Sequence, residues 1–168
     1  MARDESPLLI REYDPTWPDC FAVLAARVQT ALGNLVLRIE HIGSTAVPGL
    51  AAKPVVDLDV VVSRADAPEV IRRLAGLRYV HEGDLGMTGR EAFGCPSGET
   101  RHHLYVVAEA ADELRRHVAF RDALRADPAL RERYAALKRS LAAQHPLDRK
   151  AYTEGKSAFI AAALTGPR

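Results

Sequence analysis

The residues most able to do chemistry lie between positions 41 and 62, where a turn rich in glycine and hydroxyls, Gly43-Ser44-Thr45, precedes an apolar run interrupted by two carboxylates, Asp57 and Asp59. On a β-strand these aspartates point to one face while Val56, Leu58 and Val60 point to the other. Paired carboxylates on a core strand repel each other and resist burial, so the pattern asks for a cation, and oxygen-only ligands favour Mg²⁺ or Mn²⁺. An isolated Asp-x-Asp is more often a solvated strand end. Here the glycine turn changes the weighting: Ser44 or Thr45 is positioned to cap a short helix through Ala52, whose free N–H groups would hold an anion near the carboxylates of the next strand. Phosphate on a glycine turn beside metal on a paired-aspartate strand is what metal-assisted phosphoryl or nucleotidyl transfer requires. Neither Gly49 with Lys53 nor Gly155-Lys156-Ser157 has the spacing of a P-loop.

The elements that must carry these residues follow from periodicity. Apolar residues Trp17, Phe21, Leu24, Val28 and Leu32 share one stripe of a helix over 17–32, ended by Gly33-Asn34. Alternation over 35–42 predicts a half-buried strand, and 54–62 an interior one. A short edge strand is expected over 8–13, a helix from Asp66 to Gly76, and a strand over 77–81. Glycines at 83, 86 and 89 mark a loop; strands follow near 91–95 and 101–107, then helices over 111–126, 128–144 and 148–164, separated by Asp127-Pro128 and His145-Pro146. The expected fold class is α+β: a small mixed or antiparallel sheet with helices on one side and a helical C-terminal tail, a single domain over residues 1–168.

With 23 basic against 22 acidic residues the net charge is +1, which weighs against nucleic acid as a partner and leaves small anionic ligands open. Cys20 and Cys95 fit no metal or redox spacing, no apolar leader opens the chain, and no apolar run approaches the roughly 20 residues of a membrane helix. A soluble, cytoplasmic protein without a membrane partner is the expectation. Four of the basic residues, Lys53, Lys138, Lys150 and Lys156, are lysines and the rest arginines, a bias read as genomic base composition.

The run from His41 through Pro54 into Asp57-Leu58-Asp59, together with Arg101-His102-His103-Leu104-Tyr105-Val106 and the tail around Tyr152, Lys156 and Phe159, resembles the signature of the GrpB family, small bacterial proteins of the nucleotidyltransferase superfamily with the polymerase-β-like catalytic fold. The resemblance covers nearly the whole chain. It implies a nucleoside triphosphate or related phosphorylated small molecule as ligand, with Gly43 and Ser44 on the triphosphate and Asp57 and Asp59 on Mg²⁺ (or Mn²⁺). A similar domain fused to dephospho-CoA kinase in some bacteria implies a link to coenzyme A metabolism. The superfamily usually adds a third carboxylate from a later strand, and residues 101–107 contain none. His103 is the candidate in its place, beside Arg101 and Tyr105 on the same face, although neutral imidazole is a poorer partner for Mg²⁺. Thr45, Lys53, Arg90, Arg101, Tyr105 and Lys156 complete the candidate phosphate and nucleotide contacts; a surface role accounts equally well for Lys53, and for Arg90 or Arg101 taken alone a solvated arginine is the better account. The competing expectations are a metal-dependent transferase, with Asp57, Asp59 and His103 catalytic; a non-catalytic module binding a nucleotide or a coenzyme A precursor; and a transferase that modifies a protein or RNA.

Overall fold

A computed structural model describes residues 7–165 of the chain. The elements in order are α1 (Trp17–Leu32), β1 (Val36–Ile42), β2 (Val56–Val62), α2 (Ala67–Gly76), β3 (Val80–Gly83), β4 (Arg90–Gly94), β5 (His102–Ala108), α3 (Asp112–Ala126), α4 (Pro128–Gln144), α5 (Arg149–Glu154) and α6 (Ser157–Thr165). The strands form one mixed sheet in the order β1-β2-β5-β4-β3. Only β2 and β5 run parallel; the other three pairings are antiparallel.

Strand alternation divides the sheet into two chemically different faces. Val60 and Val62 of β2, Leu104 and Val106 of β5 and Phe93 of β4 turn toward α1 and α2, where Val28, Leu32, Val70 and Leu74 bury against them. Seven of these residues are completely inaccessible (Val28, Leu32, Val60, Val62, Val70, Leu74 and Leu104), and each such side chain contributes about 1.5–3 kcal/mol through removal from water. On the opposite face Val61 and Val107 pack under Leu114 of α3. Asp57, Asp59, His103 and Tyr105 share the parity of Val61 and Val107, so the same alternation that builds the core delivers them to the α3 side.

The C-terminal helices fold back over that side. Asp127 caps α4 by accepting from the Ala129 and Leu130 amides at 2.9 and 3.0 Å, with Pro128 at the first turn. Asp148 caps α5 by accepting from the Ala151 amide at 2.9 Å. The expected single helix over 148–164 is two, broken at Gly155. That glycine backs onto Leu141 of α4 so closely that a Cβ would collide with its side chain. The break turns Tyr152 and Lys156 toward the sheet.

Three local expectations differ from the fold. Residues 8–13 form no strand but a single bridge, Arg11 to Ala52, because Leu8 and Ile10 pack onto the C-terminal helices instead of a sheet edge. The strand expected over 77–81 starts at Val80, after a turn in which Arg78 has φ +67°. No helix runs from Ser44 to Ala52: the structure there is a one-turn 3-10 segment, Ser44–Ala46, without a side-chain cap.

Candidate functional site

Gly43 ends β1 with φ +73°, a conformation that favours glycine, and a Cβ at this position would overlap the Asp57 carboxylate. The turn is held from behind: His41 Nε2 lies 3.0 Å from Thr45 Oγ1, and the His41 ring stacks on Phe21 with centroids 4.5 Å apart. Burial pushes His41 down to about 4, so it is neutral and structural at physiological pH. Gly43→Ala is expected to fold yet lose ligand binding at least ten-fold, since it adds strain at positive φ and displaces Asp57; unchanged affinity in a calorimetric titration would refute this role for the turn.

From the turn the wall continues through lysines contributed by three separate parts of the chain. Lys138 of α4 is 1% exposed, and its Nζ donates to Ser44 Oγ at 2.9 Å and to the Ala51 carbonyl. It lies 4.9 Å from the centre of the Tyr134 ring. Lys53 and Lys156 flank the buried Tyr152 ring at 5.0 and 4.5 Å. Burial first, and then the neighbouring cations, pull Lys138 down to about 7. The same causes pull Lys156 to about 8. Lys138 and Lys156, held down by burial and by neighbouring cations that include Lys53, form a site that gains free energy when an anion arrives.

These groups open onto a cavity of about 440 Å³, within the size range of small-molecule sites. Of the residues singled out from the sequence, Gly43, Ser44, Lys53, Asp57, Arg90, His103, Tyr105 and Lys156 line it. Three do not. Thr45 is buried behind the turn; Arg101 is exposed, just ahead of β5; Asp59 is fully buried and does not reach the cavity wall.

Asp57 and Asp59 have opposite environments two residues apart. Asp57 Oδ1 accepts from His103 Nδ1 at 2.7 Å at the cavity wall. Asp59 lies beneath α3, where its Oδ2 accepts from His117 Nδ1 at 2.7 Å and His117 Nε2 reaches Glu113 Oε1 at 3.0 Å. Burial raises the Asp59 carboxyl above its usual range in spite of His117. The two carboxylates hold His117 up at about 9 against the cost of its own burial, so at pH 7 the proton rests on the imidazole. Asp59 Oδ1 has no hydrogen-bond partner among the described residues.

The two aspartates expected to share a cation do not line the cavity together: Asp57 does, and Asp59 is fully buried against His117. Asp59 already has a cation, the imidazolium of His117, and among the described residues no cluster of three or more His, Cys, Asp and Glu side chains is disposed to hold a metal. What fits is narrower: Mg²⁺ is commonly held by one or two carboxylates plus substrate phosphates, and of the two aspartates only Asp57 lines the cavity, with Glu113, the other lining carboxylate, bonded to His117.

The sequence reading missed Lys138, His117 and Glu113. A signal for Lys138 existed. In a chain where lysine is scarce, three of the four, Lys53, Lys138 and Lys156, converge on one cavity, while Lys150 lies beside Glu154 on the surface. For His117 and Glu113 the four-residue spacing on α3 shows a shared helix face and nothing about Asp59.

A mixed five-stranded sheet with an aspartate strand beside a glycine turn, flanked by helices, defines a nucleotidyltransferase-like fold. The fold is shared with a chain of the GLD-2/RNP-8 complex at a TM-score of 0.58 and 14% identity, covering 94% of this chain and 62% of that one. The family is narrower: the GrpB protein family matches residues 7–165, and the chain belongs to it. The crystal structure of the conserved protein GrpB from Enterococcus faecalis superposes with a TM-score of 0.84 at 34% identity, over 93% of this chain and 94% of that one. The UPF0157 protein YqkA of Bacillus subtilis is 34% identical over 88% of this chain, which spans 43% of that relative's length. A dephospho-CoA kinase of Mycolicibacterium paratuberculosis is 31% identical over 92% of this chain, which spans 44% of the kinase. The chain thus covers less than half the length of these two relatives. No described helix is long and apolar enough to cross a membrane.

Proposed function

We propose that this chain binds a nucleoside triphosphate, or a related phosphorylated small molecule, with its phosphates on Ser44, Lys53, Lys138 and Lys156. The observation that carries the reading is the convergence of three lysines on one cavity, two of them, Lys138 and Lys156, partly neutralised, with Ser44 and Asp57 also lining it. The phosphate charge would restore the lysines' protons, and the ammonium groups would then make charge-assisted hydrogen bonds to phosphate oxygens. A Mg²⁺ ion entering with the phosphates would sit on Asp57 and offset their charge. His103, bonded to Asp57, stands at the wall where a proton from an acceptor hydroxyl could be received during transfer of a nucleotidyl group.

A second reading, a module that binds a nucleotide or coenzyme A precursor without turning it over, is favoured by one observation: His117 covers Asp59, the second carboxylate that a two-metal transfer would need. The similarity to a dephospho-CoA kinase supports coenzyme A metabolism as the setting for either reading.

The test is calorimetric titration of the full chain with ATP and GTP, each with Mg²⁺, at pH 8 in two buffers of different ionisation enthalpy. At that pH Lys138 is mostly neutral and Lys156 about half so, given values of about 7 and about 8. Binding should take up about one proton, so the measured enthalpy should differ between the buffers. Affinity should fall as pH rises above 8, and Asp57→Ala should abolish the Mg²⁺ dependence. Binding without proton uptake would remove the lysines from the site. Pyrophosphate release in the presence of acceptor metabolites separates the transferase from the binding module, which should yield none.

A further inference from the structure

We propose that Arg90 anchors the anionic group of a second ligand, a phosphate monoester or carboxylate, at a subsite separate from the lysine cluster; the assignment of that ligand as the acceptor rests on the transferase reading above. Arg90 is 8% exposed, yet its Nε has no hydrogen-bond partner among the described residues. A buried guanidinium N–H left without an acceptor costs more than a neutral donor would, and such a group persists where a ligand completes it. The side chain does not hang loose. Its guanidinium lies over the Tyr105 ring, 4.5 Å from the centroid, and the flanking backbone is fixed by the Arg90 amide on the Met87 carbonyl at 3.2 Å and the Ala108 amide on the Gly89 carbonyl at 3.1 Å.

The Arg90 charge acts to lower the Asp59 and Glu113 carboxyls, yet both of these contact His117, at 2.7 and 3.0 Å, and neither accepts from the Arg90 Nε. A planar guanidinium fork carries parallel donors, the geometry that matches a carboxylate or phosphate.

Strand register separates this group from the lysines. Arg90 pairs with Val107 on β5 and Asp57 with His103, and β5 lies between β4 and β2. The two backbone positions are therefore about 10 Å apart across the sheet and about 13 Å along it. Arg90 nevertheless lines the same cavity as Ser44, Lys53, Asp57, His103 and Lys156. One anion on the lysines and another on Arg90 would place two ligands in the cavity that the Asp57–His103 pair also lines, the arrangement for joining a donor to an acceptor.

Crystals of the full chain soaked in tungstate, a heavy phosphate mimic, would test this by anomalous diffraction. Two peaks are expected, one within hydrogen-bond reach of Lys138 and Lys156 and one within reach of the Arg90 guanidinium. Arg90→Met should lose the second and keep the first. In solution, with the lysine site saturated by a non-hydrolysable ATP analogue, inorganic phosphate should still raise the unfolding temperature, and Arg90→Met should need at least ten-fold more phosphate for an equal rise. Arg90→Lys, which keeps the charge without the fork, should fall between them and guards against a folding defect in the methionine variant. A single peak at the lysines, with a phosphate response that Arg90→Met leaves unchanged, overturns this subsite and leaves the lysine site standing. A single peak at Arg90 overturns the lysine reading and leaves this one.

Discussion

Replacing Lys138 by methionine should raise the stability of the protein at pH 7 while weakening nucleotide binding at least ten-fold. The two effects have one cause. Lys138 is 1% exposed and depressed to about 7 from an ordinary value of 10.5, so the folded state resists the proton that the unfolded chain holds readily. Between about pH 7 and pH 10.5 the unfolded state binds more protons there, and stability rises with pH through that window; below it the full penalty is present. Methionine has a similar length, no charge and no such penalty. Against this gain stand the hydrogen bonds to Ser44 and the Ala51 carbonyl, which methionine cannot make. Exchanges of buried ionic groups for apolar ones of similar volume are often stabilising by 1–4 kcal/mol; with two hydrogen bonds lost, about 1 kcal/mol is expected, a rise of about 2–4 °C in a chain of this size. The binding loss follows from removing one charge-assisted contact worth about 1.5–3 kcal/mol. Thermal unfolding from pH 6 to 10, beside calorimetry with ATP, measures both. A methionine variant that is less stable at every pH and still binds would mean that Lys138 is a structural residue.

His117→Ala should do the reverse and destabilise the fold by about 3–5 kcal/mol, because it leaves the buried Asp59 carboxylate without its counter-ion. Adding Asp59→Asn to that variant should recover most of the loss, since the group that needed a partner is no longer charged. The non-additivity of the cycle, of either sign up to about 3 kcal/mol for residues in contact, reads the coupling directly. The pH dependence has a definite sign. His117 is raised from 6.5 to about 9, so its stabilising contribution is fully present below pH 6.5 and disappears as pH rises through 9. Wild type should thus lose on the order of 3 kcal/mol between those limits from this group, and His117→Ala should lack that fall. The slope is opposite to that from Lys138, so the two variants distinguish the groups in one series of melts. If the single and double variants are equally unstable, Asp59 is not what His117 supports.

The chemistry of the two faces explains why some parts of this molecule were legible from the chain alone. β2 is read from its β-branched, apolar run; alternation puts Asp57 with Asp59 on one face of β2 and His103 with Tyr105 on one face of β5, and the register of the two strands brings these faces together. The glycine turn is equally local: Gly43 adopts φ +73° within its own few residues. The stripe of α1 and the aspartate caps of α4 and α5 depend on neighbours three or four positions away at most. Where local expectation failed, a distant contact had intervened. The helix over 148–164 is broken by the fit of Gly155 against Leu141, and the strand over 8–13 is drawn away by packing onto α4 and α5.

Sequence by itself determined the family, the sheet's faces and the Gly43–Asp57 half of the site, because those follow from periods of two and 3.6 and from residue types within a short window. The tertiary structure alone decided that Lys138 would meet Ser44 from 94 positions away and that His117 would reach Asp59 across 58. No periodicity encodes such meetings, since helix packing sets them. That packing turned two equivalent aspartates into different groups, one facing the cavity and one sealed beneath an imidazolium.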